Sequence, residues 1–266
     1  MRIQKKVLLM GGMGNKFFQI SRAIELKRKN IVVELVFIDL PLRSLYKLSG
    51  HTIHEDWLDV VSLVAQFGIR VRPISFAELI SLGFMFCLRK LALPVRFDEN
   101  INDALILDSK FFQSAWDIGY FQSDVHVSIE SLNQVADTLI SIMSLKKDID
   151  NNQMVCHIRG GDFSPKNRIN RKSILALVNL CKKESLKLVV VTNDQNFCRE
   201  LLENHSYELY SGKSTMDDFI KLSSSCNLYL SNSTFAFWAA LISVRSHDAV
   251  IHVAEDWPYS SLLQSG

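Results

Sequence analysis

The chain has 266 residues, 48% of them hydrophobic, enough to bury one large core or two smaller ones. Thirty basic residues against 28 acidic leave a formal net charge of +2, which argues against nucleic acid as partner and confines any anion site to a local cluster. The five cysteines are odd in number and form no C-x-x-C pair, pointing to a reducing compartment and away from structural zinc.

In chain order, Val7–Met10 reads as a buried strand, Gly11-Gly12-Met13-Gly14 as a turn, Asn15–Lys29 as a helix and Ile31–Ile38 as a second strand. The apolar run after Arg2, Lys5 and Lys6 is too short for a signal sequence or a spanning helix, so the chain is expected to be soluble and cytoplasmic. This β-loop-α-β opening is of the kind that brings a helix N-terminus to a nucleotide, with Gly12 and Gly14 as candidate ligand-approach positions. The dinucleotide fingerprint fails, because Phe17 stands where its third glycine belongs; Asp39 could still imitate a ribose-binding acid.

Asp56–Phe67 is expected to be an amphipathic helix, Ile69–Ile74 a strand, Phe76–Leu91 an apolar helix and Ala104–Asp108 a strand. His51 and His54 lack a third placed ligand, so no metal is assigned. The stretch Ile80–Phe97, with Arg89, Lys90 and Arg96, reads as a buried helix or, alternatively, as a peripheral contact with a membrane surface. Gly119–Ser123 follows a turn and Val125–Ser144 is a long helix, so a boundary is drawn here, giving domains 1–123 and 124–266.

The second half alternates more regularly. Met154–Ile158 is a buried strand, and Gly160-Gly161 turn the chain beyond it, leaving His157, Arg159 and Asp162 at the strand end. Arg159 offers a planar fork suited to phosphate oxygens; the alternative is a surface turn in which it pairs with Asp162. A helix at Arg171–Glu184, a strand at Leu188–Val191 ending in Thr192-Asn193-Asp194, and a helix at Gln195–Glu203 follow. Then come a helix at Met216–Ser225, a strand at Asn227–Leu230, and Ser231-Asn232-Ser233-Thr234 opening the apolar helix Phe235–Ile242, before a last strand at Ala249–Val253.

In a parallel sheet with helical crossovers the three polar strand ends emerge on one edge and border one crevice. Arg159 would neutralise a diphosphate, the Ser231–Thr234 helix start would donate to it, and Asp194 or His157 would contact base or ribose, with Lys166, Arg168, Arg171 and Lys172 adding positive potential. Taken singly, Ser-Asn-Ser-Thr reads as a helix cap and Thr-Asn-Asp as a turn; their recurrence at strand ends favours a site.

Five ordered blocks, Gly11–Gln19, Gly119–Ser123, His157–Asp162, Thr192–Asp194 and Cys226–Ala240, resemble the inverting α-1,2-fucosyltransferase family of bacterial surface-glycan (O-antigen, lipopolysaccharide) biosynthesis. Residues 30–115 carry little of the resemblance. It implies an α/β fold of two Rossmann-like domains facing across a cleft (GT-B type), with GDP-fucose as donor and no metal or other cofactor. The implied acceptor is a galactoside in an oligosaccharide or lipid-linked glycan, reached from the cytoplasm or peripherally at the inner membrane.

Residue by residue, the resemblance puts Arg159 on the diphosphate, His157 and Asp194 near the nucleoside, Ser231, Asn232, Ser233, Thr234 and Phe235 around phosphate and ribose, and Asn15 facing the sugar. Arg159 and Asn15 are thus the candidate catalytic residues. The family's usual second arginine is Gly160 here, which leaves open a different nucleotide sugar, or a nucleotide-binding protein without catalysis. The general base is open: His54, Glu55 and Asp56 are candidates, and the alternative is an oxocarbenium-like sugar that accepts a hydroxyl with little basic assistance.

Overall fold

The computed structural model describes residues 4–38, 57–80, 82, 104–107, 115–122, 126–145, 150–160 and 169–253. Asp39, His51, His54, Glu55, Asp56, Asp162, Lys166, Arg168 and most of Ile80–Phe97 lie outside the described residues. The chain divides into two units, Met1–Val135 and Ala136–Gly266. The α/β class and the two Rossmann-like units expected from the sequence are what it contains.

The first unit is built from β1 (Gln4–Leu9), α1 (Met13–Arg28), β2 (Val32–Phe37), α2 (Trp57–Gln66), β3 (Arg70–Pro73), β4 (Ala104–Leu107) and β5 (Ala115–Gly119). Its sheet has the order β3-β2-β1-β5-β4, parallel except where β4 runs against β5. Leu8, Val36, Trp116 and Ile118 form a core with Ile74 and Leu82. On α1, Phe17, Phe18, Ile20, Ala23 and Ile24 are buried, as expected of a helix whose apolar stripe covers a sheet.

β5 is a strand that the apolar pattern does not reveal. Its centre is Asp117, completely buried, whose carboxylate accepts from Arg22 Nε and Nη2 at 3.0 and 2.9 Å and from Lys5 Nζ at 2.9 Å. Arg22 also donates from Nη1 to the His126 carbonyl at 3.0 Å. A charge inside a strand breaks the apolar signal, yet here it ties β5 to β1 and α1. The cost of burying the carboxylate is offset by charge-assisted bonds from both cations.

Helix α3 (Ile129–Met143) carries the chain from the first unit into the second. There follow β6 (Gln153–Ile158), α4 (Arg171–Lys183), β7 (Lys187–Thr192), α5 (Gln195–Leu201), β8 (Glu208–Tyr210), α6 (Thr215–Ser223), β9 (Asn227–Leu230), α7 (Thr234–His247) and β10 (Val250–Val253). All pairings in the order β10-β9-β6-β7-β8 are parallel. From β6 the chain winds outward one way through β7 and β8, then returns to the other side for β9 and β10. This is the doubly wound order, with its switch point between β6 and β9.

Met154, Cys156 and Ile158 pack with α4, β7 and α5 residues such as Leu177, Val190 and Cys198. Val155 and His157, alternating with them, point to the other face. Helix α7 is buried without interruption from Ala236 to Ser243, the mark of a helix covered on all sides. It therefore presents its N-terminus from a rigid position.

Removing the Asp117 carboxylate leaves Arg22 and Lys5 uncompensated, so Asp117→Ala is expected to cost about 3–5 kcal/mol of unfolding free energy. Urea denaturation reads this directly, and a loss under about 1 kcal/mol would show that the network contributes little.

Candidate functional site

The β6–β9 pairing is set by the register Val155↔Leu228, Cys156↔Tyr229 and His157↔Leu230. The chain leaving β6 as Arg159-Gly160 therefore emerges beside the chain leaving β9 as Ser231-Asn232-Ser233. Of the sequence-derived residues, this junction brings His157, Arg159, Ser231, Asn232, Ser233, Thr234 and Phe235 to one sheet edge. Asp194 follows β7 on the same edge, next to β6. Gly12, Gly14 and Asn15 belong to the first unit.

His157 is 6% exposed, and its ring lies 5.3 Å from Phe235, which in turn meets Phe219 at 5.2 Å. Burial, with a further contribution from the charge of Arg159, lowers its pKa from 6.5 to about 3. The imidazole is consequently neutral at physiological pH, able to donate from one nitrogen and accept at the other. Its Nδ1 finds no hydrogen-bond partner among the described residues, nor does the buried hydroxyl of Ser233.

Ser233 is the N-cap of α7 but makes no side-chain cap bond, and the first turn of the helix carries no acidic residue. The helix start thus keeps its positive end and adds a hydroxyl that is not engaged in capping. Arg159, partly buried, supplies the formal charge. Together these groups can hold an anion with further oxygen or nitrogen functions attached. Arg171 and Lys172 are exposed in the first turn of α4, which Asn170 caps by accepting from Ser173 N at 2.8 Å.

The Thr192-Asn193-Asp194 turn has a structural division of labour. Asp194 is the N-cap of α5, its Oδ1 accepting from Phe197 N at 3.0 Å, while its own N donates to Thr192 Oγ1 at 3.0 Å. Asn193 reaches across to β6, where its Oδ1 accepts from Gly160 N at 3.0 Å. A Cβ added at Gly160 would lie 2.7 Å from Asp194 Cβ and 2.9 Å from Phe197 Cδ1. The position at which the resembled family usually has a second arginine is thus closed by neighbouring side chains.

Sequence reading misses β8, a strand of three residues and too short for a periodic signal. Beyond its end Gly212 N donates to Asp218 Oδ1 at 3.0 Å, and Ser214 caps α6 by accepting from Asp217 N at 3.1 Å. Burial raises the Asp218 pKa. A Cβ on Gly212 would fall 2.6 Å from Asp218 Oδ1, so the Ser-Gly-Lys-Ser run is a tight turn that delivers two carboxylates to the same sheet edge.

The first unit has its own switch point, between β1 and β5. Gln19, fully buried, accepts from Met10 N and donates to the Gly119 carbonyl, both at 2.9 Å, so one side chain joins the two strand ends. Gln122 Nε2 donates to Asn15 Oδ1 at 2.9 Å, which orients that amide. The left-handed residue of the glycine turn is Gly11, at φ +75°, whereas Gly12 is the extended N-cap of α1 and Gly14 is buried inside the helix. A Cβ on Gly11 would also meet Asn15 Nδ2 at 2.6 Å.

Among the described residues no group of three or more His, Cys, Asp and Glu could hold a metal ion, and no helix is long and apolar enough to cross a membrane.

A family model described as glycosyl transferase family 11 matches residues 108–264. No curated protein sequence matches the chain. Among solved structures, the E. coli heptosyltransferase WaaC with ADP is 10% identical, with 94% of this chain and 86% of that chain covered and a TM-score of 0.47. POFUT1 in complex with GDP is 10% identical, with 96% and 98% covered and a TM-score of 0.47. The NodZ alpha-1,6-fucosyltransferase soaked with GDP-fucose is 11% identical, with 91% and 93% covered and a TM-score of 0.41.

The buried imidazole makes stability depend on pH. As pH falls from 6.5 towards 3, the unfolded state takes up a proton at residue 157 that the folded state refuses, so stability drops by up to about 1.4 kcal/mol per pH unit from this residue. His157→Gln should flatten the stability profile measured by denaturant titration between about pH 6 and pH 4; identical slopes would mean that the imidazole charges freely in the fold. Gly160→Arg, restoring the resembled family's usual side chain, is expected to lower stability by about 1–3 kcal/mol through overpacking against Asp194 and Phe197. A melting temperature equal to wild type would show that the turn opens at no cost.

Proposed function

Because the chain belongs to glycosyl transferase family 11, we propose that it moves L-fucose from GDP-fucose to a hydroxyl of a glycan acceptor, with inversion at the anomeric carbon. The observation that carries this reading is the β6–β9 junction. An arginine, a helix N-terminus and two buried polar atoms without partners among the described residues, His157 Nδ1 and Ser233 Oγ, converge there. That set suits a nucleoside diphosphate: negative charge for Arg159 and α7, and neutral polar functions for His157.

The reaction is a direct displacement. The acceptor oxygen forms a bond to the anomeric carbon as the bond from that carbon to the phosphate oxygen breaks, and the electron pair leaves with the diphosphate. The acceptor hydroxyl gives up its proton to a base or to solvent. Charge growing on the leaving oxygens is met by Arg159 and the α7 start, donors fixed before the reaction begins, which lowers the transition state more than the ground state. Asn15 is assigned to the sugar by the family resemblance, and its hydrogen bond to Gln122 supports a fixed amide there. The candidate bases His54, Glu55 and Asp56 lie outside the described residues.

Galactose O2 in a lipid-linked surface glycan is the acceptor the resemblance favours. A cytoplasmic setting with peripheral contact to the inner membrane fits such an acceptor. Arg159 and the helix supply the charge that a metal would otherwise bring to the diphosphate.

Thermal unfolding with GDP, GDP-fucose, GDP-mannose, UDP-galactose, a dTDP-sugar and NADH tests the donor. Specific binding at about a hundredfold excess over Kd stabilises by about 2.7 kcal/mol, and only GDP and GDP-fucose are expected to shift the midpoint. Arg159→Ala should lose that shift and lower transfer by about two orders of magnitude or more. A midpoint shift with another sugar nucleotide alone would replace the donor. Near-normal turnover in folded Arg159→Ala would remove the arginine from the mechanism.

A further inference from the structure

We propose that Asn193 is a positioning residue for Arg159, acting through the backbone of Gly160. This role rests on the reading of Arg159 as a diphosphate ligand and goes beyond it by naming what fixes the guanidinium.

The β6–β7 ladder ends at the pair Ile158↔Thr192, so in continued register Asn193 stands opposite Arg159. The Asn193 side-chain oxygen extends the ladder by one bond, accepting the Gly160 N–H at 3.0 Å as a backbone carbonyl would. The turn that carries this acceptor is itself held, by Asp194 N on Thr192 Oγ1 and by Phe197 N on the Asp194 cap.

Gly160 is then enclosed. Asn193 takes its N–H, while Asp194 and Phe197 stand 2.7 and 2.9 Å from where a Cβ would be. The residue immediately before it therefore starts from a backbone with little room to shift. This matters for an arginine more than for a lysine, because a guanidinium gains its advantage from a planar fork presented in the right direction, whereas an ammonium acts as a point charge. A misplacement of about 1 Å can lower a rate about a hundredfold. Asn193 thereby affects function through the backbone that carries Arg159.

The test is a double-mutant cycle read by calorimetric titration of GDP into wild type, Asn193→Ala, Arg159→Lys and the double variant, with UDP and ADP titrated into wild type alongside. Losing the hydrogen bond should weaken GDP binding about five- to tenfold in the wild-type background. In the Arg159→Lys background the further loss should be under about twofold, because a point charge has no fork to orient. Equal losses in both backgrounds overturn the positioning role, and so does no loss in wild type. Wild type that binds neither GDP, UDP nor ADP overturns the diphosphate reading together with this proposal, which separates the two failures.

Asn193→Asp keeps an acceptor oxygen for Gly160 and supplies a second measurement should the alanine variant unfold. It adds a negative charge beside the anion site, so KM for the sugar nucleotide rises while kcat stays within about threefold of wild type. A fall in kcat of about tenfold or more overturns the assignment.

Discussion

The parallel pairing of β6 with β9 is the constraint on which the candidate site depends. Neither strand end carries much chemistry alone: one leads into an arginine and a glycine, the other into a run of hydroxyls and an amide. The register that sets His157 against Leu230 places both exits side by side. Because the strands are parallel, each exit leads to a helix on its own face of the sheet, and the crevice between the two departures cannot be filled by either connection. The site is thus a consequence of winding order before it is a consequence of particular side chains.

The first unit repeats that logic with a different closure. Its order brings the end of β1 beside the end of β5, and Gln19 spans them by accepting from one backbone and donating to the other. Two blocks far apart in sequence, the glycine turn and the segment from Gly119 to Gln122, are therefore one structural feature. The Asn15–Gln122 bond adds a second connection between them. Holding such an edge together requires β5 to be anchored, and the anchor is the buried Asp117 with Arg22 and Lys5.

How much can be read from the sequence follows the physics of each signal. The strands β6, β7 and β9 are readable because both faces of a doubly covered sheet are apolar, and the start of α7 because a run of short polar side chains favours a helix start. β5 is not readable, since its decisive residue is a buried aspartate that looks like a loop residue until its cations are known. Among the glycines, sequence reading singles out Gly12 and Gly14, but the left-handed backbone falls on Gly11, a distinction that only φ makes visible. Gly160 can be recognised as a departure from the family pattern. The reason it fits is Asp194 and Phe197, at the start of α5, pressed against it, a matter of packing. No periodicity encodes such a contact.

A protein usually satisfies its buried polar atoms, because each one left unmade costs about 1–3 kcal/mol. His157 Nδ1 and Ser233 Oγ are held at that cost among the described residues, and the fold can bear it because the elements carrying them are otherwise well secured. α7 is covered on all sides, and β6 is paired on both edges. Rigidity and incompleteness meet here: the Ser233 hydroxyl makes no cap bond at a well-covered helix start, and the buried imidazole stays neutral well below its ordinary pKa. A ligand that partners both atoms recovers free energy forgone in folding. This is why specificity for one ligand would reside at the junction.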